Sequence, residues 1–127
     1  MRRKYFDTFP LIYTGDLAEA VRFYRDLLGF EETFRFPDVG EPRFVALDGI
    51  GLVATTEGQI GLHGWPVGPR SGGFELCVYT DDVDAAIEEL RSHGVLVLAE
   101  PADQVWHERM AFVADPDDHP VMICQKL

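Results

Sequence analysis

The sequence predicts an α+β fold built from one supersecondary unit written twice, β-α-β-β-β followed by β-α-β-β-β. Three observations predict it. Residues 14–29, TGDLAEAVRFYRDLLG, and residues 80–94, TDDVDAAIEELRSHG, are two versions of one segment. Thr14, Asp16, Leu17, Ala20, Val21 and Arg25 match Thr80, Asp82, Val83, Ala86, Ile87 and Arg91, and Gly29 matches Gly94 after a one-residue shift. Further along, RFVALDG at 43–49 echoes AFVADPDD at 111–118 through a shared Phe-Val-Ala. Self-similarity at this spacing marks a repeated supersecondary unit.

The elements follow in chain order. FPLIYT and FELCVYT are short apolar runs suited to strands. Asp16 and Asp82 stand where a helix N-cap belongs, and Glu19 is placed to complete a capping box with Asp16. Leu17, Val21, Tyr24 and Leu28 recur at helical spacing, as do Val83, Ile87 and Leu90, so each helix buries one face. Gly29 and Gly94 sit at the C-terminal stops. FEETFRF then alternates, with Phe30, Phe34 and Phe36 on one face and Glu31, Thr33 and Arg35 on the other. RFVAL and IGLVATT, joined by an Asp-Gly turn, close the first unit; VLVLA, MAFVA and PVMICQ close the second. The chain thus reads as a single domain over 1–127, with a first module over 6–57, a Gly/Pro-rich connector over 58–73 and a second module over 74–126.

Composition limits what such a protein does. At 127 residues, 46% hydrophobic and 26% charged, the chain is the size and kind of one soluble domain. It has no apolar run near the roughly 20 residues that a membrane helix needs. MRRKYFDTF has neither an apolar stretch nor a small-residue cleavage site, so no secretory leader is expected. Cys77 and Cys124 do not make a disulfide framework, and a reducing cytoplasm is the expected compartment. A net charge of −11 argues against a nucleic-acid partner, which needs a basic face, and favours cationic ligands.

Three segments, GDLAEAVRFYRDLLGF, DDVDAAIEELRSHGV and VWHERMAFVADPDDHPVMI, occur in order at the repeat spacing. Together they resemble the vicinal oxygen chelate superfamily of glyoxalases, extradiol dioxygenases and bleomycin-resistance proteins, over about Phe9 to Gln125. The last is similar to a Trp-Gly-Arg, Phe-Val, Asp-Pro-Asp-Gly ending. The resemblance implies a curved mixed sheet around a cleft, the glyoxalase/bleomycin-resistance fold. It also implies, in the metal enzymes, ligands from the first and last strands of each half. Those positions fall here on Phe9, Val53, Glu75 and Met122. One carboxylate among four is too little for Zn²⁺, Ni²⁺, Mn²⁺ or Fe²⁺, so no metal and no cofactor is expected. His63, His93, His107 and His119 lie in loops or at a helix end without a paired ligand spacing, and Asp115, Asp117 and Asp118 read as an exposed acidic turn in which Asp118 tolerates positive φ.

Without a metal the resemblance narrows to the bleomycin-resistance type, which sequesters a drug. QVWHER is similar to that group's Pro-Trp-Gly-Arg-Glu segment, whose Trp stacks on a planar ligand, a role that carries over to Trp106; here Val105 replaces Pro and His107 replaces Gly. Strand alternation then gives a lining of Phe9, Leu11, Tyr13, Cys77, Tyr79, Val53, Thr55, Met122 and Cys124, with Phe34 and Phe36 as an aromatic wall. Cys77 and Cys124 read as unreactive thiols. Glu75 has three open roles: contact with a cationic ligand, pairing with Arg35 or Arg109, or general base. The expected function is therefore metal-independent capture of a hydrophobic, cationic or aromatic small molecule such as an antibiotic. The alternatives are a glyoxalase-like lyase or dioxygenase, using a metal or Glu75, and a protein–protein module without a small-molecule site. The resemblance also implies a homodimer, with Pro10 near an exchanged N-terminal arm.

Overall fold

The computed structural model describes residues 9–55 and 75–127. Contacts divide the chain into two compact units, Met1–Gly68 and Pro69–Leu127, each holding one copy of the repeat. The connector, His63 and any N-terminal arm before Phe9 lie outside the described residues.

In the first unit, β1 (Leu11–Thr14) leads to α1 (Leu17–Val21), which runs on as a π-helical segment, Arg22–Leu27. Then follow β2 (Phe34–Phe36), β3 (Phe44–Leu47) and β4 (Ile50–Ala54). The sheet order is β1-β4-β3-β2, with β1 parallel to β4 and the other pairs antiparallel. The second unit repeats this with β5 (Leu76–Tyr79), α2 (Val83–Ser92), β6 (Val97–Asp103), β7 (Glu108–Ala114) and β8 (Pro120–Lys126), in the order β5-β8-β7-β6. The predicted β-α-β-β-β grammar holds in both.

Each helix packs on one face of its own sheet. Leu17, Ala20, Val21, Phe23 and Tyr24 are buried together with Ile12, Val45, Leu47 and Leu52. Val83, Ile87 and Leu90 are buried with Ala111, Val113, Val121 and Ile123. Each fully buried large apolar side chain contributes roughly 1.5–3 kcal/mol, so these faces outweigh any single cap, worth about 1 kcal/mol.

The caps are where the repeat predicts them. Asp16 accepts from Glu19 N at 3.2 Å and Asp82 from Ala85 N at 3.1 Å. The expected capping box does not close: Asp16 N donates to Thr14 Oγ1 at 3.1 Å, and Glu19 turns to Arg22. The Thr14 hydroxyl already satisfies the donor that Glu19 would have taken. Gly29 and Gly94 end the helices at φ 82° and 83°, a left-handed geometry that glycine adopts without steric cost.

Three local expectations change. The strand expected over FEETFRF begins only at Phe34, and the Phe30 ring lies 5.9 Å from the buried Tyr24 ring. Phe30 therefore joins the helix side rather than the face of Phe34 and Phe36. The helix expected through Leu28 widens after Val21, with Leu28 N donating to Phe23 O at 3.0 Å, while Phe23 and Tyr24 are both buried in edge-to-face contact. Finally, β6 extends beyond VLVLA to Asp103, with irregular register against β7.

Candidate functional site

A strand pair in register points its side chains to the same side of the sheet. In the first unit the face opposite the helix carries Leu11 and Tyr13, Gly51 and Val53, Phe44 and Ala46, and Phe34 and Phe36. Their pairings are Leu11↔Gly51, Tyr13↔Val53, Phe44↔Val53, Phe34↔Ala46 and Phe36↔Phe44. Leu11 is 42% exposed, Phe34 55% and Phe36 63%, and Phe9, just before β1, is 52% exposed. Val53 has no exposed surface and forms the floor of this face. A Cβ built on Gly51 would lie 2.8 Å from both Leu11 Cδ2 and Phe44 Cε2, so glycine allows these two side chains to close over it. The product is a broad apolar, aromatic surface. Phe44, whose ring lies 6.1 Å from Phe34, was not anticipated; only the β2–β3 register assigns it to this side.

The open face of the second unit has a different chemistry. Cys77 and Tyr79 of β5 pair with Met122 and Cys124 of β8, and Met110 and Phe112 of β7 pair with Cys124 and Met122 from the other side. Glu108, at the start of β7, is the hub. Its Oε2 accepts from the Tyr79 hydroxyl at 2.7 Å, and its Oε1 accepts from Trp106 Nε1 at 3.0 Å. That hydrogen bond to Glu108 pushes the Tyr79 phenol up to about 12. Lys126 stands 5.6 Å from the Tyr79 ring centroid. Trp106 occupies the β6–β7 turn, is 55% exposed, and precedes His107, whose φ of 66° is the geometry a glycine would supply. Glu108 therefore holds an exposed indole in one orientation. The sequence placed Glu108 inside QVWHER, but only a structure pairs its two oxygens with Tyr79 and Trp106.

Glu75 lies just before β5 and is exposed. Neither arginine suggested for it is directed there: Arg35 forms two bonds to Glu32, each 2.7 Å, and Arg109 pairs with Asp84 and Asp103. Glu32 also takes Arg25 at 2.8 Å, and the Arg35 guanidinium holds its carboxyl below the usual range. Arg25, Arg35 and Arg43, together with Asp16 and Glu41, line a cavity of about 580 Å³ beside the start of α1. Thr55 lies in this cavity and donates to Thr14 O at 3.2 Å.

The acidic turn is not simply exposed. Asp115 is 3% exposed because its carboxylate organises the turn: Oδ1 accepts from Asp117 N at 2.9 Å and His119 N at 2.8 Å, while Oδ2 meets His119 Nδ1 at 2.7 Å. His119 thus has a partner four residues back, contrary to expectation, and the bond to Asp115 raises its pKa. Asp118 takes φ 66°, as expected. Asp115, Asp117 and His119 bring ligand-type atoms within 4.8 Å of one another, but the Asp115 oxygens already serve the turn.

Residues 8–123 match the glyoxalase/bleomycin resistance protein/dioxygenase superfamily. The chain belongs to this superfamily. An uncharacterized protein of Mycolicibacterium smegmatis is 34% identical over 105 residues, covering 83% of this chain and 80% of its own. TioX from Micromonospora sp. ML1 shares the fold with a TM-score of 0.73 at 20% identity, covering 96% of this chain and 100% of its own. So does TnmS3, an antibiotic binding protein from Streptomyces sp. CB03234, with a TM-score of 0.66 at 24% identity, over 98% of this chain and 100% of its own.

The superfamily includes metal enzymes, so the donors at the corresponding positions decide whether such a metal fits. Phe9 and Val53 offer no ligand atom, Met122 offers a thioether, and only Glu75 offers an oxygen. This set does not suit a divalent ion that needs three or four nitrogen, oxygen or thiolate donors.

Proposed function

We propose that this protein captures a hydrophobic, planar small molecule, cationic or aromatic, without a catalytic metal. The exposed aromatic face of Phe9, Leu11, Phe34 and Phe36 carries the reading. Soluble proteins rarely leave several large apolar side chains together on one sheet face unless something covers them. Trp106, held by Glu108 beside Tyr79, supports it from the second unit as an oriented stacking surface. The charge of −11 and exposed Glu75 favour a cationic ligand over an anionic one. An antibiotic is the ligand class we propose, since TnmS3 of the same fold is an antibiotic binding protein. By the same reading the protein works in the cytoplasm as a homodimer. Among the described residues, no helix is long and apolar enough to cross a membrane.

The test is a titration of bleomycin-type glycopeptides and other planar aromatic compounds, following tryptophan fluorescence. Trp106→Phe serves as the control, because the chain has a second tryptophan. A saturable change that the variant loses supports the proposal. No saturable response across a broad panel refutes it.

A further inference from the structure

The chain contains two cysteines and three methionines. Apart from Met1, all of them sit on one patch of the open face of the second unit. Cys77 pairs with Met122, and Met110 pairs with Cys124; Met122 and Cys124 are two residues apart on β8 and so share a side. Residues directly paired across strands bring their Cβ atoms to about 4.5–5.5 Å, which is within reach of one centre for side chains as long as methionine. The sulfurs of Cys77 and Cys124 lie 3.6 Å apart. Cys77 is exposed and Cys124 is buried, so the pair has one accessible and one enclosed donor.

We propose that these four sulfurs form a binding site for a monovalent soft ion, Cu(I), held by the Cys77 and Cys124 thiolates with Met110 and Met122 as thioether donors. Thiolate and thioether ligands select Cu(I) over Mg²⁺, Ca²⁺ or Mn²⁺, which prefer oxygen. The spacing suits a shared ion: with metal–thiolate bonds of about 2.3 Å, as known for zinc, sulfurs 3.6 Å apart subtend roughly 100° at the metal, near the tetrahedral angle. Thioethers are poor zinc ligands, so the two methionines decide for copper. Phe112, paired with Met122, adds an apolar flank to the site.

Binding replaces two thiol protons by one Cu(I), with no change of oxidation state and two protons released to solvent. Because both thiols must lose their protons to bind, affinity should rise with pH.

This inference is independent of the organic ligand proposed above. Its test is an anaerobic titration of the whole chain with Cu(I), competing against a chromophoric Cu(I) chelator in the presence of a non-thiol reductant. The expected result is one equivalent bound by the wild type and none retained against the chelator by Cys77→Ser. The Met110→Leu/Met122→Leu double variant keeps core volume nearly constant and should weaken binding by at least about tenfold, or 1.4 kcal/mol. Far-UV circular dichroism establishes that each variant is folded. Absence of stoichiometric binding by the wild type overturns the proposal, as does unchanged affinity in Cys77→Ser or in the double methionine variant.

Discussion

Replacing Asp115 with alanine removes a buried acceptor for two backbone N–H groups and one imidazole in an otherwise partly exposed turn. The carboxylate is 3% exposed, and its three contacts span 2.7–2.9 Å. Hydrogen bonds to a charged acceptor contribute about 1.5–3 kcal/mol each. Releasing a buried carboxylate returns part of that through relieved desolvation. The expected net loss is about 3 kcal/mol, and with a urea dependence of roughly 1.5 kcal/mol/M the unfolding midpoint should fall by about 2 M. Urea titration followed by far-UV circular dichroism measures it. A shift under about 0.3 M would place Asp115 among ordinary surface residues and refute its role as organiser of the turn. The His119 contact adds a pH signature. The Asp115 bond raises the folded imidazole's pKa above its unfolded value. Its contribution is therefore complete below the ordinary imidazole pKa, near 6.5, and is lost as pH rises through the raised folded value. The stability gap between wild type and His119→Gln should shrink across that window; a gap that grows with pH refutes the pairing.

Other substitutions separate the two open faces from their supports. Gly51→Ala would place its Cβ 2.8 Å from both Leu11 Cδ2 and Phe44 Cε2, so these side chains must move; because both are side-chain ends that can swing, the cost in urea should be about 1–2 kcal/mol, and no loss would show that the two do not close over this glycine. Glu108→Gln should lower the Tyr79 phenol from about 12 toward the ordinary value near 10, read by absorbance titration against Tyr79→Phe, whereas an unmoved phenol would break the Glu108 link. Arg109→Ala, although it severs pairs with Asp84 and Asp103, should cost no more than about 1 kcal/mol, because both carboxylates are more than half exposed; a loss of several kcal/mol in urea would contradict this.

What could be read from the sequence was what depends on neighbours along the chain. Asp16 and Asp82 cap, Gly29 and Gly94 stop, and Asp118 takes positive φ because each rule involves a few consecutive residues. What could not be read depends on partners brought together by pairing. Phe30 alternates correctly with Phe34, yet the chain between them is not strand, and Tyr24 claims the ring. Phe44 required the β2–β3 register. Asp115 looked like one more exposed carboxylate in an acidic turn until its oxygens were seen to satisfy that turn's own amides. Glu108 was legible as part of a motif but not as the residue that holds Trp106.

The two copies also check each other where counting along one strand is ambiguous. Leu11 pairs with Gly51 as Cys77 pairs with Met122, and Tyr13 pairs with Val53 as Tyr79 pairs with Cys124. The counterpart of Met122 in the first unit is therefore Gly51, and Val53 corresponds to Cys124. Phe9 and Glu75, each two residues before Leu11 and Cys77, are counterparts as well. Under either count these positions of the first unit carry a phenyl ring, a glycine or a valine. The second offers one carboxylate and a set of sulfurs. The same register in the first unit instead gives a continuous aromatic surface, since Tyr13, Phe44 and Phe36 are linked through Val53 across β1, β4, β3 and β2. One duplicated scaffold thus presents two different faces: apolar and aromatic side chains in the first copy, and sulfur-bearing and hydrogen-bonding side chains in the second.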